Sequence, residues 1–316
     1  MTLPSASSAG AAPRRTVGEV LTFLQEALTS ADLLDAVRFG DEQGIEPVTL
    51  LTTHLASPLQ NSPLPPLGDL FRTRYGDERR AFERWLLGAA AVQRLELIER
   101  LPVVESVKQL LLAEICLYVS PPRRTVSLLS VGAYSFDVAA MVALLRRMPA
   151  GQYHWETTGL SRRYLLQVAK PRLPRALWTV YGQMGGHSPV IFPHVNPYRR
   201  NPFVWLEAES NRSFHRMARS MELQPNVRGL VTRAWLHDPG LAAISPHLAW
   251  TNRVFLENGG VVLANGSALD EPASRENSKE RQQAFDEGRY DPQFGLVLWP
   301  RRAMIRWAAQ HPELGD

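Results

Sequence analysis

The chain has one cysteine and three lysines among 316 residues. A lone Cys116 excludes an intrachain disulfide. Its setting in the apolar run "LLLAEICLYV" (110–119) predicts a buried, inert thiol. With Lys108, Lys170 and Lys279 the only lysines, arginine carries the positive charge, and the net balance is +4. Arginine doublets recur at 14–15, 79–80, 123–124, 146–147, 162–163, 199–200 and 301–302, with acidic residues among them. A nucleic-acid binder concentrates such charge on one element, so most of these doublets read as solvated faces and no nucleic-acid partner is expected. No run approaches the roughly 18 uninterrupted apolar residues of a membrane span. The first 16 residues hold no apolar core of signal-peptide length. The expectation is a soluble cytoplasmic protein. Also missing are a Walker A loop, a G-x-G-x-x-G after a strand, an H-E-x-x-H helix and a Cys/His zinc pattern. No metal and no permanently bound cofactor are therefore expected.

What is present divides in three. Residues 1–16 are small and Ser/Ala/Pro-rich, as a disordered tail is. Residues 17–122 read as mainly helical. Val20, Leu21, Leu24 and Leu28 recur at helical spacing, Ser30 can cap a second short helix and Gly40 can end it. "SPLQNSPLPPLG" (57–68) reads as a linker. A helix opening near Asp77 carries Phe82, Trp85, Leu86, Ala89, Val92 and Leu95 on one stripe, and 106–119 is apolar nearly all round, as a central helix is. From 123 to 316 the pattern becomes α/β (α+β), a mixed sheet covered by helices. Strands are expected at 125–131, 164–170, 175–182, 189–195, 203–209, around 227–236, at "GVVLANG" (260–266) and at "FGLVLWP" (294–300). Helices are expected after Ser135, at "RSFHRMARSMEL" (212–223), from Ser245 to Asn258, at "SRENSKERQQAFDEG" (274–288) and at "RRAMIRWAAQ" (301–310).

Three stretches concentrate chemistry. In "TRAWLHDPGLAAISPHLAW" (232–250), Asp238-Pro239-Gly240 is turn chemistry, with glycine free to take positive φ, and Ser245-Pro246 is a helix cap. Trp235 and His237, at i and i+2, share a strand face. His247 in a first helical turn favours a neutral imidazole, and Asn252 follows on the same helix. In 181–210, Gly185-Gly186 permits a sharp turn, and His187 and His194 bracket a strand at a separation that puts them on opposite faces. His194, at the rim of the sheet, is a candidate base. Glu207 and Glu209 share a face of the next expected strand and suit acid/base work. "YHWETT" (153–158) reads as a polar-aromatic loop built around Trp155.

From 203 onward the order strand, helix, strand, helix, strand, final strand resembles the carboxy-terminal half of the GNAT (acyl-CoA N-acyltransferase) superfamily. In that likeness "FVWLEAE" (203–209) resembles the central strand and "NRSFHRMARSMEL" (211–223) the helix that binds the thioester's pyrophosphate. "VRGLVTRAWLHD" (227–238) resembles the splayed strand, and "SPHLAWTNRVFLENGG" (245–260) the acceptor-side helix. The superfamily's Q/R-x-x-G-x-G/A loop is absent, "EAESNRS" standing there, and so is its usual Tyr acid. The resemblance implies acyl transfer from acyl-CoA or an acyl-carrier-protein thioester to a small amine. His194, Glu207 or His237 would be the base. Asn211, Arg212 and Ser213 would meet the phosphates, and Trp205, Trp235, His247 and Asn252 would line the substrate site. A non-catalytic binding or interaction protein on a decayed enzyme fold is the alternative. A metal hydrolase using His187 and His194 is a third reading.

Overall fold

The structure is a computed structural model describing residues 14–56, 64–76, 79–120, 133–168, 175–196 and 206–315. The strand expected at 125–131 and the residues 203–205, Trp205 included, lie outside them. Two compact units emerge. The first comprises Met1–Leu101 and Lys108–Leu145, and the second Pro102–Val107 and Arg146–Asp316. Among the described residues no helix is long and apolar enough to cross a membrane.

The first unit is helical: α1 (Val17–Leu28), α2 (Leu34–Glu42), α3 (Pro47–Ala56), α4 (Leu64–Tyr75), α5 (Arg79–Arg94), α6 (Glu105–Val119, from Lys108 onward) and α7 (Ala133–Ala143). Thr16 caps α1 in a reciprocal box with Glu19. Four details differ from the sequence expectations. Leu33, not Ser30, precedes α2, which runs through Gly40 to Glu42. Helix α4 starts inside the expected linker, with Pro65 and Pro66 in its first turn, where a missing N–H costs nothing. Ser135 lies inside α7 rather than at its start. The central helix is α5, buried around most of its circumference, whereas α6 leaves Leu117 exposed. Phe39, Phe71, Phe82 and Trp85 form its aromatic core through rings about one van der Waals layer apart.

The second unit is a six-stranded mixed sheet with helices on both faces. Its strands are β1 (Met148–Pro149), β2 (Tyr153–Gly159), β3 (Pro189–Val195), β4 (Gly229–Ala234), β5 (Val261–Ser267) and β6 (Gln293–Pro300). Their order is β1-β2-β3-β4-β6-β5, antiparallel throughout except for β3–β4. That parallel pair shares one registered position, Ile191 with Leu230, supported by Arg228 N–H donating to the Pro189 carbonyl at 2.8 Å. Beyond it the two strands have no pairing, so the middle of the sheet opens.

Two helices, α8 (Arg162–Val168) and α9 (Arg175–Gln183), cover one face. Both were expected as strands. Tyr164, Leu165 and Val168 recur at i, i+1 and i+4, as do Val180, Tyr181 and Met184 from α9 into its following turn. Each trio packs on Val190, Val231, Leu296 and Leu298. That one-sided spacing fits a helix, and aromatic and β-branched content had imitated a strand. Conversely, 153–158 is not a loop but β2, with Trp155 buried on one face and Glu156 and Thr158 on the other. The opposite sheet face is covered by α10 (Glu207–Glu222), α12 (Trp250–Glu257) and α14 (Arg301–Gln310). There Phe214, Phe255 and Trp299 interlock edge to face, and Trp307 packs tilted against Trp299. The remaining helices, α11 (Leu241–Ile244) and α13 (Lys279–Asp286), flank the loop after β4.

Candidate functional site

The β2–β3 register sets His154 opposite His194, Glu156 opposite Phe192 and Thr158 opposite Val190. Opposed residues share a face, so these side chains rise together on the α8/α9 side. With Val231 of β4 and Gly159, Leu160, Ser161 and Tyr164 leading into α8, all of them but His154 enclose a cleft of about 200 Å³ over the open β3/β4 junction. Val190, Phe192 and Val231 make its apolar floor. A larger depression, about 560 Å³, runs along α13. Polar, solvated side chains line it throughout, as open surface rather than a ligand pocket.

The polar end of the cleft is a relay. His194 Nε2 lies 3.2 Å from Glu156 Oε1, and Glu156 Oε2 lies 3.6 Å from Arg147 Nη2. A carboxylate only accepts, so Nε2 carries the imidazole proton and Nδ1 keeps the lone pair. The hydrogen bond from His194 holds the Glu156 carboxyl below its ordinary range; burial opposes this, and Arg147 adds to the lowering. Arg147 is 5% exposed, and its Nε and Nη1 meet no acceptor. Most of the arginine doublets read as solvated faces, but the place of Arg147 beside β1 buries it on the Glu156 face.

His237 and Glu207 do not join His194. Residues 235–237 form a 3-10 turn rather than the end of a strand, so Trp235 and His237 share no strand face. His237 is buried against Phe255, its Nδ1 3.1 Å from Asn252 Oδ1. Burial pushes its pKa down to about 4, against weaker opposing hydrogen bonds from Asn252 and the Thr251 backbone. Asn252 is thereby committed to His237. Glu207 is the first residue of α10, not a strand residue, and accepts from Arg253 Nη2 at 2.5 Å on the exposed surface. Glu209 is likewise in that first turn, ion-paired with Arg212.

The expected phosphate residues are displaced by the same shift. Helix α10 begins at 207, so Asn211, Arg212 and Ser213 lie in its second turn, past the free N–H groups. Ser213 is buried, donating to the Glu209 carbonyl at 2.8 Å and accepting from Gln152 N–H at 2.9 Å. Two carboxylates now stand where the phosphates were expected.

In the 232–250 stretch, Trp235 sits under the Arg281 guanidinium, 5.0 Å from its ring centroid. Ser245 accepts from Arg281 Nη1 at 3.3 Å instead of capping a helix. His247 is exposed in the short 3-10 turn before α12. Asp238 keeps its turn role, Oδ1 accepting from Gly240 N–H at 2.8 Å. Its Oδ2 also accepts from Tyr290 Oη at 2.9 Å and Gln293 N–H at 3.0 Å. Gly240 has φ −81°, so no positive φ is used there. His187 lies after the Gly185-Gly186 turn (φ +69° and +70°), its Nδ1 3.0 Å from the Leu160 carbonyl.

No known protein family, curated protein or solved structure matches this chain.

Sequence reasoning singled out His194 and noted Glu156, but missed Arg147, Tyr164 and Arg233. Arg233 follows Val231 on the cleft face of β4. Its guanidinium lies 3.6 Å from the Phe294 ring centroid and 5.6 Å from that of Tyr164. The one available signal was an arginine at i+2 from an apolar strand position.

Proposed function

We propose that the second unit is a GNAT-like acyltransferase whose cleft takes a thioester donor and a small amine. The observation that carries this reading is the opened parallel junction between β3 and β4, with the His194–Glu156 pair at its rim. Supporting it is the order β3, α10, β4, α12, β5, β6, with α13 between the last two strands; β4 would correspond to the splayed strand. An extended donor arm bearing amide groups can lie between two strands that no longer pair, by the logic of strand addition. Its thioester then reaches the His194 end of the cleft.

The chemistry balances as follows. His194 Nδ1 takes one proton from the acceptor ammonium, and Glu156 stabilises the resulting imidazolium. The freed amine attacks the thioester carbonyl, forming a C–N bond. The tetrahedral adduct expels the thiolate, breaking the C–S bond, and the second amine proton passes to sulfur. Amide, thiol and one released proton are the products.

The assay is thiol release by the full-length chain from acyl-CoA and from acyl-carrier-protein thioesters across an amine panel. Amine-dependent release is expected, and His194→Gln should lower kcat/KM by about 10²- to 10⁴-fold. No release with either donor over the whole panel refutes the reading. Glu207 and Glu209 at the start of α10 favour a second one, a binding protein using the same cleft, because carboxylates there repel a diphosphate. Saturable amine binding without turnover identifies that case.

A further inference from the structure

A second charged group stands beside the cleft, next to its lining residues Val231 and Tyr164. Three residues beyond the Ile191–Leu230 pair stand His194 on β3 and Arg233 on β4. The two face the same side, at the same level, across the open junction. Arg233 is fixed in place. Nε donates to Asn265 Oδ1 at 2.7 Å and Nη2 to the Asn265 carbonyl at 3.1 Å, while Phe294 stacks beneath. Asn265 is fully buried and donates to the Tyr164 carbonyl at 2.7 Å, which ties this support to the cleft wall.

Those bonds use only one side of the guanidinium. Its end-on fork, Nη1 with the second Nη2 proton, is left for a bidentate acceptor. No carboxylate pairs with Arg233 among the described residues. Burial lowers its pKa from the ordinary guanidinium range; Tyr164 opposes this, and the charge of Arg163 adds to the lowering. A partly desolvated guanidinium held in this way against Tyr164 of the cleft lining is stabilised by an anion that reaches it from the cleft.

We propose that Arg233 is the anion-binding residue of this cleft, receiving the carboxylate or phosphate of a substrate whose reacting group faces His194. This deepens the acyl-transfer reading and rests on it for the role of His194, but the binding claim does not need turnover. A carboxylate would come from the acceptor, making it an amino-acid-like amine. A phosphate would come from the donor arm.

The experiment is calorimetric titration of the full-length protein without any thioester. The probes are 4-aminobutyrate, its amide, pantetheine and 4′-phosphopantetheine. At least one anionic probe should bind tenfold or more tightly than its uncharged counterpart. Arg233→Gln should abolish that preference, Arg233→Lys should restore part of it, and Arg162→Gln should leave it unchanged. A preference confined to 4-aminobutyrate assigns the anion to the acceptor, and one confined to phosphopantetheine assigns it to the donor. Equal binding of charged and uncharged probes, no binding at all, or an undiminished preference in folded Arg233→Gln overturns the proposal. Anion binding through Arg233 without thiol release from any donor would instead sink acyl transfer alone.

Discussion

The buried imidazole of His237 makes stability depend on pH. The perturbation is acidification from pH 7 to pH 4. His237 titrates near its ordinary value of 6.5 when the chain is unfolded and at about 4 when folded. Between those values the unfolded chain binds the proton more readily, so stability rises with pH. The contribution is fully present above pH 6.5 and is lost as pH falls toward 4. At about 1.4 kcal/mol per pH unit, the loss is about 2 kcal/mol at pH 5 and about 3 kcal/mol at pH 4. Urea denaturation followed by tryptophan fluorescence measures it, because Trp299 and Trp307 lie in the aromatic cluster that also contains Phe255, the ring under His237. His237→Gln keeps a polar group toward Asn252 but cannot titrate. The wild type should lose about 2 kcal/mol more than this variant between pH 7 and pH 5. Parallel pH profiles for the two proteins would refute the account.

Two further substitutions probe the packing of the second unit. At Gly295 a Cβ would stand 1.8 Å from the His237 carbonyl oxygen. Gly295→Ala should therefore displace the 235–237 turn and cost about 3 kcal/mol in chemical denaturation, and a cost below about 1 kcal/mol would contradict the close approach. Arg301 donates to the Met221, Glu222, Gln224 and Val227 carbonyls at the end of α10. Arg301→Met should cost about 2–3 kcal/mol, with amide exchange accelerating first around 221–227; unchanged exchange there counts against that capping role.

Sequence patterning located the elements with long apolar runs or a clear apolar stripe. β4, β6, α10 and α14 carry long apolar patterns and lie close to where they were expected. β2 escaped because Glu156, Thr157 and Thr158 make half of it polar, and a half-exposed strand of such residues resembles a loop. α8 and α9 escaped because each spans about two turns, too few for the helical repeat to outweigh the strand preference of Tyr, Val and Trp. The site was less legible still. His194 could be placed at a strand end, but its partner Glu156 lies 38 positions earlier and meets it only through the β2–β3 register. Asn265 supports Arg233 from 32 positions away, through a bulged strand. Glu207 was misassigned by one local fact: the chain has already turned helical there, which takes Glu207 and Glu209 off the sheet.

The single position joining β3 to β4 makes the sheet two blocks instead of one plate. Strands β1 to β3 close by antiparallel pairing within 148–195, and β4 to β6 within 229–300. Each block satisfies most of its backbone internally, so the junction is the line along which the unit can flex at least cost. A ligand lodged there acts as a rivet, coupling the motions of two otherwise separable blocks. Occupancy of the cleft and rigidity of the whole unit are then the same event, visible as slower amide exchange on both sides of a seam that the ligand touches only at its centre.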